Sequence, residues 1–425
     1  MLELSFILYL IGLIVLFISI KNERITLLIT WPYIIYGTGL VFSAYNYEQE
    51  IFIFTELYSY ENIILSQGIM LSFILIIYFL DVLFLPKKYL LKTIQRLVNI
   101  SEPLVVNIVN SNIIRVYAFL QSIILLGLLI VAFLSGEIVI GGYDYTTLSN
   151  LKYWGAIGFF TENIIIICSM YLYSFLWKDK VRRCRFLELF ISFVLLIRLM
   201  SGTRLFLAKL IVFAILIYLI YKKKYIKVII YLFMLIILLS IVAIFRLENY
   251  GELEDIKNIL LSSLFAEAYF NDLTLLIATK ALLISSFEYQ PTAIIAFFSG
   301  LIPNFLLDRK ILIENLYNHD IIVHFLGDLS PLGAMSFLAE LIYATGWWYL
   351  IVIFIVGILL VCFIKSLKSS YGIFIIFALG EMSINLWRDS FVIAIKIFVV
   401  HVIINLAVIY ILYYFFGKKT HLNKV

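Results

Sequence analysis

The chain is short of charge. Only 14% of its 425 residues are Asp, Glu, Lys or Arg, against 64% hydrophobic, and the mean hydropathy is +1.07. A soluble domain carries roughly a quarter charged residues and about half apolar ones, so a soluble enzyme or binding module is excluded. Cysteine is scarce as well. Cys168, Cys184 and Cys362 lie in or beside apolar runs, each without a CxxC partner, which excludes a disulfide framework and a cysteine-based metal site. The signatures HExxH, GxSxG, P-loop, GxGxxG and DxD are all missing. Chemistry without a metal or a bound cofactor is the expectation. The first apolar run, Leu2 to Ile20, has no basic leader and no small-residue cleavage site, so it reads as a retained span. The basic excess, 32 Lys and Arg against 27 Asp and Glu, is spread over short connectors, and nucleic acid is not an expected partner.

What is abundant is apolar length. About 20 apolar residues cross a bilayer as a helix. Suitable runs fall at 2–20, 25–43, 63–85, 113–135, 153–176, 186–200, 205–221, 226–245, 336–364, 372–387 and 391–416. These spacings predict an all-α polytopic membrane protein of about eleven transmembrane helices, or up to about thirteen if the large loop hides a further pair. Residues 1–245 form an amino-terminal set of spans, 246–335 a large loop with short helices, and 336–425 the last spans with a short tail.

The connectors alternate in charge. Lys21 to Arg24, Pro86 to Arg115, Trp177 to Arg185, Lys222 to Lys227, Lys365 to Lys368 and the tail from Lys418 together hold 21 of the 32 basic residues. Tyr45 to Asn62 holds Glu48, Glu50, Glu56 and Glu61 and no base. The positive-inside rule then puts the amino terminus outside, the carboxyl terminus in the cytoplasm and the large loop outside. In the connector after Pro86, Leu90, Leu91, Ile94, Leu97 and Val98 recur at helical spacing, with Lys92 and Arg96 on other faces. That pattern predicts an interfacial helix held to anionic membrane lipid. Trp347, Trp348 and Tyr349 mark a membrane interface or a helix contact.

Four arginines are left at the outer ends of spans. Arg198 and Arg204 bracket Leu199-Met200-Ser201-Gly202-Thr203, Arg246 ends the eighth run, and Arg388 stands in Leu386-Trp387-Arg388-Asp389-Ser390. Guanidinium groups stay charged and bind phosphate oxygens in a fork, so four of them at one lip of the bilayer suit a diphosphate. The competing reading pairs each with a local acid, as Arg388 could with Asp389 or Glu381.

The loop has five basic residues against eleven acids, among them Glu267, Asp272, Glu288, Asp320 and Asp328. Acids and aromatics together suit carbohydrate, and equally describe an ordinary solvated loop. Its segments 273–286 and 292–301 read as short surface or re-entrant helices. His324, just before Gly327-Asp328-Leu329-Ser330-Pro331, can serve as a general base near neutral pH or be a plain surface residue.

Met200-Ser201-Gly202-Thr203-Arg204, Arg246 before a long outer loop, Ser330-Pro331-Leu332-Gly333-Ala334-Met335-Ser336 with Glu340 and Tyr343, and Trp387-Arg388-Asp389 resemble the Wzy-type O-antigen and oligosaccharide-repeat-unit polymerases. The resemblance implies a glycosyltransferase of the bacterial inner membrane acting on the periplasmic face. Its donor would be a growing glycan on undecaprenyl diphosphate, and its acceptor the non-reducing end of a new lipid-linked repeat unit. Arg204, Arg246 and Arg388, with Arg198 beside them, would hold the departing diphosphate. His324 would deprotonate the acceptor hydroxyl in one inverting displacement, with Asp320 or Glu340 able to replace it. Asp320, Glu340 and Tyr343 would contact substrate. A chain-length regulator is a further partner compatible with such an enzyme. The rivals are a lipid-linked oligosaccharide flippase, an O-antigen ligase, a membrane O-acyltransferase and a non-catalytic scaffold. A flippase would be expected to show short loops on both sides and an internal repeat, and a membrane O-acyltransferase an early histidine motif.

Overall fold

The computed structural model describes residues 2–48, 59–136, 154–174, 184–200, 272–280, 336–369, 372–388 and 397–417, with a few isolated positions besides. Among these residues the chain is helical throughout, with no strand. Four helices are long and apolar enough to cross a membrane: α1 (Leu2–Lys21), α4 (Tyr60–Phe84), α6 (Asn112–Leu134) and the Phe337–Ser366 helix. Large apolar side chains such as Ile14, Phe79, Leu120 and Leu359 stand exposed along all four. Surfaces of that extent belong against lipid, and the protein is a membrane protein.

The remaining elements are shorter. The run expected at 25–43 is broken, because Pro32 has no N–H to continue a helix. It becomes α2 (Thr26–Thr30) and α3 (Tyr33–Glu48). Next in order come α5 (Tyr89–Asn110), α7 (Trp154–Ser174), α8 (Arg185–Met200) and α9 (272–280). The Phe337–Ser366 helix is two pieces, α10 (Phe337–Thr345) and α11 (Tyr349–Ser366), joined by a 3-10 turn at Gly346. Gly346 has φ of 54°, which a residue without Cβ adopts readily. In that turn Trp347 and Trp348 are exposed while Tyr349 is buried. α12 (Gly372–Arg388) follows, then a π-helical stretch at Ile397–Ile404 that runs into α13 (Asn405–Leu412). The runs expected at 205–221 and 226–245, and a second short helix at 292–301, lie outside the described residues apart from isolated positions.

The helix after Pro86 forms as expected but differs in what covers it. Leu90, Leu91, Ile94, Leu97 and Val98 are buried in the protein, as are Val105, Ile108 and Val109 further along α5. Its apolar stripe is therefore a packing face, and Lys87, Lys88, Lys92 and Arg96 line the exposed side.

The chain divides into two compact units. The first takes Met1–Lys92, Leu261–Leu367 and Met382–Lys396; the second takes Thr93–Leu260, Lys368–Glu381 and Ile397–Val425. In the first, α1 and α3 approach through glycine. A Cβ at Gly37 would stand 2.7 Å from the Tyr33 ring, and one at Gly12 would overlap the same ring. Gly357 on α11 likewise admits the Leu80 side chain of α4. Small residues at such crossings let membrane helices pack closely.

In the second unit a chain of amides ties three helices. The Tyr117 hydroxyl on α6 donates to Asn405 Oδ1 at 3.0 Å, and Asn405 Nδ2 on α13 donates to Asn163 Oδ1 at 2.8 Å. Asn163 Nδ2 on α7 completes it by donating to Gln121 Oε1 on α6 at 3.3 Å. Phe119 packs on Phe190 of α8 with ring centroids 5.1 Å apart.

Candidate functional site

Two polar layers interrupt the apolar interior of the first unit, one at each end of α4. At its carboxyl-terminal end, Asp81 is buried and fully engaged. The Thr26 backbone N–H and hydroxyl each donate to its Oδ2 at 2.8 Å, and Arg24 lies 3.5 Å from its Oδ1. The same guanidinium donates to the Leu85 carbonyl at 2.7 Å. Arg24, one of the basic residues assigned from sequence to the cytoplasmic connectors, is thus inside the protein. The reason lies in two reversals that clasp each other. Lys88 N–H donates to the Asn22 carbonyl at 2.9 Å and Leu90 N–H to the Glu23 carbonyl at 3.1 Å. Glu23 and Lys88 take positive φ of 54° and 64° to allow it.

The layer at the amino-terminal end of α4 is the candidate site. Ser59 caps the helix by accepting from Asn62 N–H at 3.2 Å. Asn62 Nδ2 then donates to the Leu276 carbonyl of α9 at 2.9 Å, Ser66 and Thr279 hydroxyls lie 2.7 Å apart, and the Thr279 hydroxyl also reaches Asn62 Oδ1. Ser336 caps α10 and donates its N–H to Thr274 on α9 at 3.2 Å. α9 is therefore wedged between α4 and α10 by hydroxyl and amide bonds, with Leu273, Leu275 and Leu276 fully buried. Asp272 begins α9 and is 0% exposed.

Beside this layer sits an aromatic cluster. Trp387 donates its indole N–H to the Ile29 carbonyl at 2.9 Å and stacks on Tyr36 at 6.4 Å. Tyr33, Phe73 and Phe337 approach the same indole at 5.9, 5.7 and 6.4 Å. Gln67 Nε2 donates to the Tyr33 hydroxyl at 3.2 Å. The cluster fixes the end of α12, and Arg388 is the next and last residue of that helix.

The residues picked out from sequence fall in three places. Glu340 and Tyr343 lie in α10, both buried and one helical turn apart, so they share a face. Arg198 lies in the second unit, buried in the last turn of α8, where the helix dipole favours a cation. Arg204, Arg246, Asp320 and His324 lie outside the described residues, and of Arg388 only the backbone is described. No cluster of three or more His, Cys, Asp or Glu suited to a metal occurs among the described residues. The sequence pattern puts Asn62 at the end of an acidic connector, Ser66, Gln67 and Asp81 inside an apolar run, and Asp272 among the loop acids. The signal available was polar character within a span, which is costly and retained for pairing or function. Compared with family models, curated proteins and solved structures, the chain matches none.

Proposed function

We propose that the protein is a polysaccharide polymerase of the bacterial inner membrane. It transfers a growing glycan from undecaprenyl diphosphate to the non-reducing end of a new lipid-linked repeat unit, on the periplasmic face. About eleven spans, an outer amino terminus and a cytoplasmic carboxyl terminus belong to this reading. Arg204, Arg246, Arg388 and Arg198 neutralise the leaving diphosphate, an electrostatic role in which fixed cations meet charge as it develops. His324 takes the proton of the acceptor hydroxyl, and Glu340, Tyr343 and Asp320 orient the sugar.

The observation that supports this best is the burial of Glu340 and Tyr343 in α10, whose cap residue Ser336 bonds to Thr274 of α9. A carboxyl and a phenol at the end of a membrane helix, beside aromatic rings, suit a hydroxyl-bearing sugar ring better than a lipid tail. A lipid-linked oligosaccharide flippase and an O-antigen ligase are the alternatives, and one experiment separates all three. After gene deletion, surface-polysaccharide gels carry core with a single repeat unit for a polymerase and bare core for a ligase. Loss of a flippase leaves unpolymerised units on the inner side. Arg204→Ala and Arg246→Ala are expected to reproduce the deletion phenotype while inserting at normal levels. Normal polymer length in both variants would overturn the diphosphate assignment, and normal length in His324→Ala the base assignment alone.

A further inference from the structure

The clasp at the carboxyl-terminal end of α4 displays its cations and hides its acids. Residues 17–25 and 81–92 carry Lys21, Arg24, Lys87, Lys88 and Lys92, and all four lysines are exposed. The two acids in the same stretches, Glu23 and Asp81, are 2% and 1% exposed. The bonds from Lys88 N–H to the Asn22 carbonyl and from Leu90 N–H to the Glu23 carbonyl bring the end of α1 and the start of α5 onto one rim. Apolar side chains stand exposed beside that rim: Phe17 and Ile18 one turn before Lys21, and Leu83 and Phe84 at the end of α4. Arg24 adds a more specific feature. It is 4% exposed, and its hydrogen bonds all leave from Nη1, to the Leu85 carbonyl at 2.7 Å, the Asp81 carbonyl at 3.2 Å and Asp81 Oδ1 at 3.5 Å. Its Nε is buried and has no partner among the described residues.

A buried N–H that has given up water and found no acceptor is costly. Nε and Nη2 together form the guanidinium edge that takes two phosphate oxygens in parallel. Like charges on one rim repel, and an anion seated among them relieves the repulsion. An anion that carries its own acyl chains also covers the apolar side chains beside the rim, while the lysine stems reach along them. We propose that this clasp binds the phosphodiester headgroup of an anionic phospholipid, with Arg24 offering its Nε–Nη2 edge and Lys21, Lys87, Lys88 and Lys92 surrounding the phosphate. The contact differs from an amphipathic helix laid on the bilayer, because the apolar stripe of α5 is already covered by protein. In the proposed orientation the clasp meets the cytoplasmic leaflet, whose negative surface potential favours it. The site does not depend on the transferase chemistry, and losing it would leave that reading standing.

The test uses the full-length protein, delipidated in detergent and titrated with phosphatidylglycerol or with phosphatidylcholine of the same acyl chains. Native mass spectrometry counts the bound lipid and gives its affinity. Phosphatidylglycerol is expected to bind more tightly than phosphatidylcholine and to raise the melting temperature. Lys21→Gln, Lys87→Gln and Lys88→Gln combined should weaken it about tenfold or more, since each base at an anionic surface contributes roughly fivefold before screening. Lys222→Gln, Lys223→Gln and Lys224→Gln combined take the same charge from another basic connector and should leave it unchanged. Arg24→Lys keeps a cation beside Asp81 without the Nε–Nη2 edge and should weaken the same lipid severalfold; where it does not fold, the lysine variants decide. The site is overturned if the first lysine set or a folded Arg24→Lys protein binds phosphatidylglycerol as the wild type does. It is equally overturned if the second set weakens binding as much as the first. Phosphatidylcholine bound as tightly, or inorganic phosphate stabilising as well at matched ionic strength, would also overturn it.

Discussion

A single side chain decides whether a buried charge in this protein is tolerable. Arg24 and Asp81 illustrate the case in which both partners are supplied. Removing one leaves the other uncompensated, at a cost of about 3–5 kcal/mol. Asp81→Ala is therefore expected to lower the melting temperature sharply or to abolish folded yield in detergent, and an unchanged melting temperature would show that Arg24 is held by backbone carbonyls alone. At the opposite end of the first unit, Glu48 is exposed and accepts the Leu2 N–H at 2.7 Å. That bond, with the nearby chain terminus, holds the Glu48 carboxyl below its ordinary range. A depressed folded value means the contribution is present above the unfolded value and lost as pH falls through the folded one. The protection factor of amides in the first turn of α1, with the intrinsic exchange rate divided out, should fall on acidification through the carboxylate range, and Glu48→Gln should remove the dependence.

Between helices, the fit is set by what is missing from a side chain as much as by what is there. Tyr33 lies over Gly12 and Gly37, and its ring is buried among Tyr9 and Trp387. It has no room to yield, so Gly12→Ala overpacks the crossing and should destabilise by about 1–3 kcal/mol. Chemical denaturation in detergent measures this, and Gly68→Ala, where a Cβ meets nothing, is the control. The individual helices were largely legible in the sequence. α1, α4, α6, α7, α8 and α12 lie within a few residues of the apolar runs that foretold them, because apolar length is read directly by a bilayer. The division of 25–43 at Pro32 was written in the sequence too, as a residue that cannot donate to a helix. The fate of α5 was not. Its stripe of leucine, isoleucine and valine is the same whether lipid or protein covers it, and only the surrounding helices decide.

For the molecule as a whole, the contacts that build the candidate site were illegible for a related reason. Asn62 meets Leu276 and Ser66 meets Thr279 across more than two hundred residues of chain, and Trp387 reaches Ile29 across more than three hundred. Periodicity carries no information at that range. Charge alternation is the sequence signal for orientation, and the proposed orientation has Glu48 and Lys88 on opposite sides of the membrane. Single cysteines at these two exposed positions should accordingly react with an impermeant maleimide from opposite sides in oriented vesicles; labelling from one side would refute the assigned orientation. α4 connects the two levels. Asn62 and Asp81 are nineteen residues apart, or ~28 Å of helix, close to the ~30 Å of a hydrocarbon core. A rod bolted to its neighbours at both tips cannot lean over to shorten its reach, so in a thin bilayer the lipid has to stretch up to meet it. The protein should therefore prefer long acyl chains, and loosen first at whichever bolt the headgroups fail to cover.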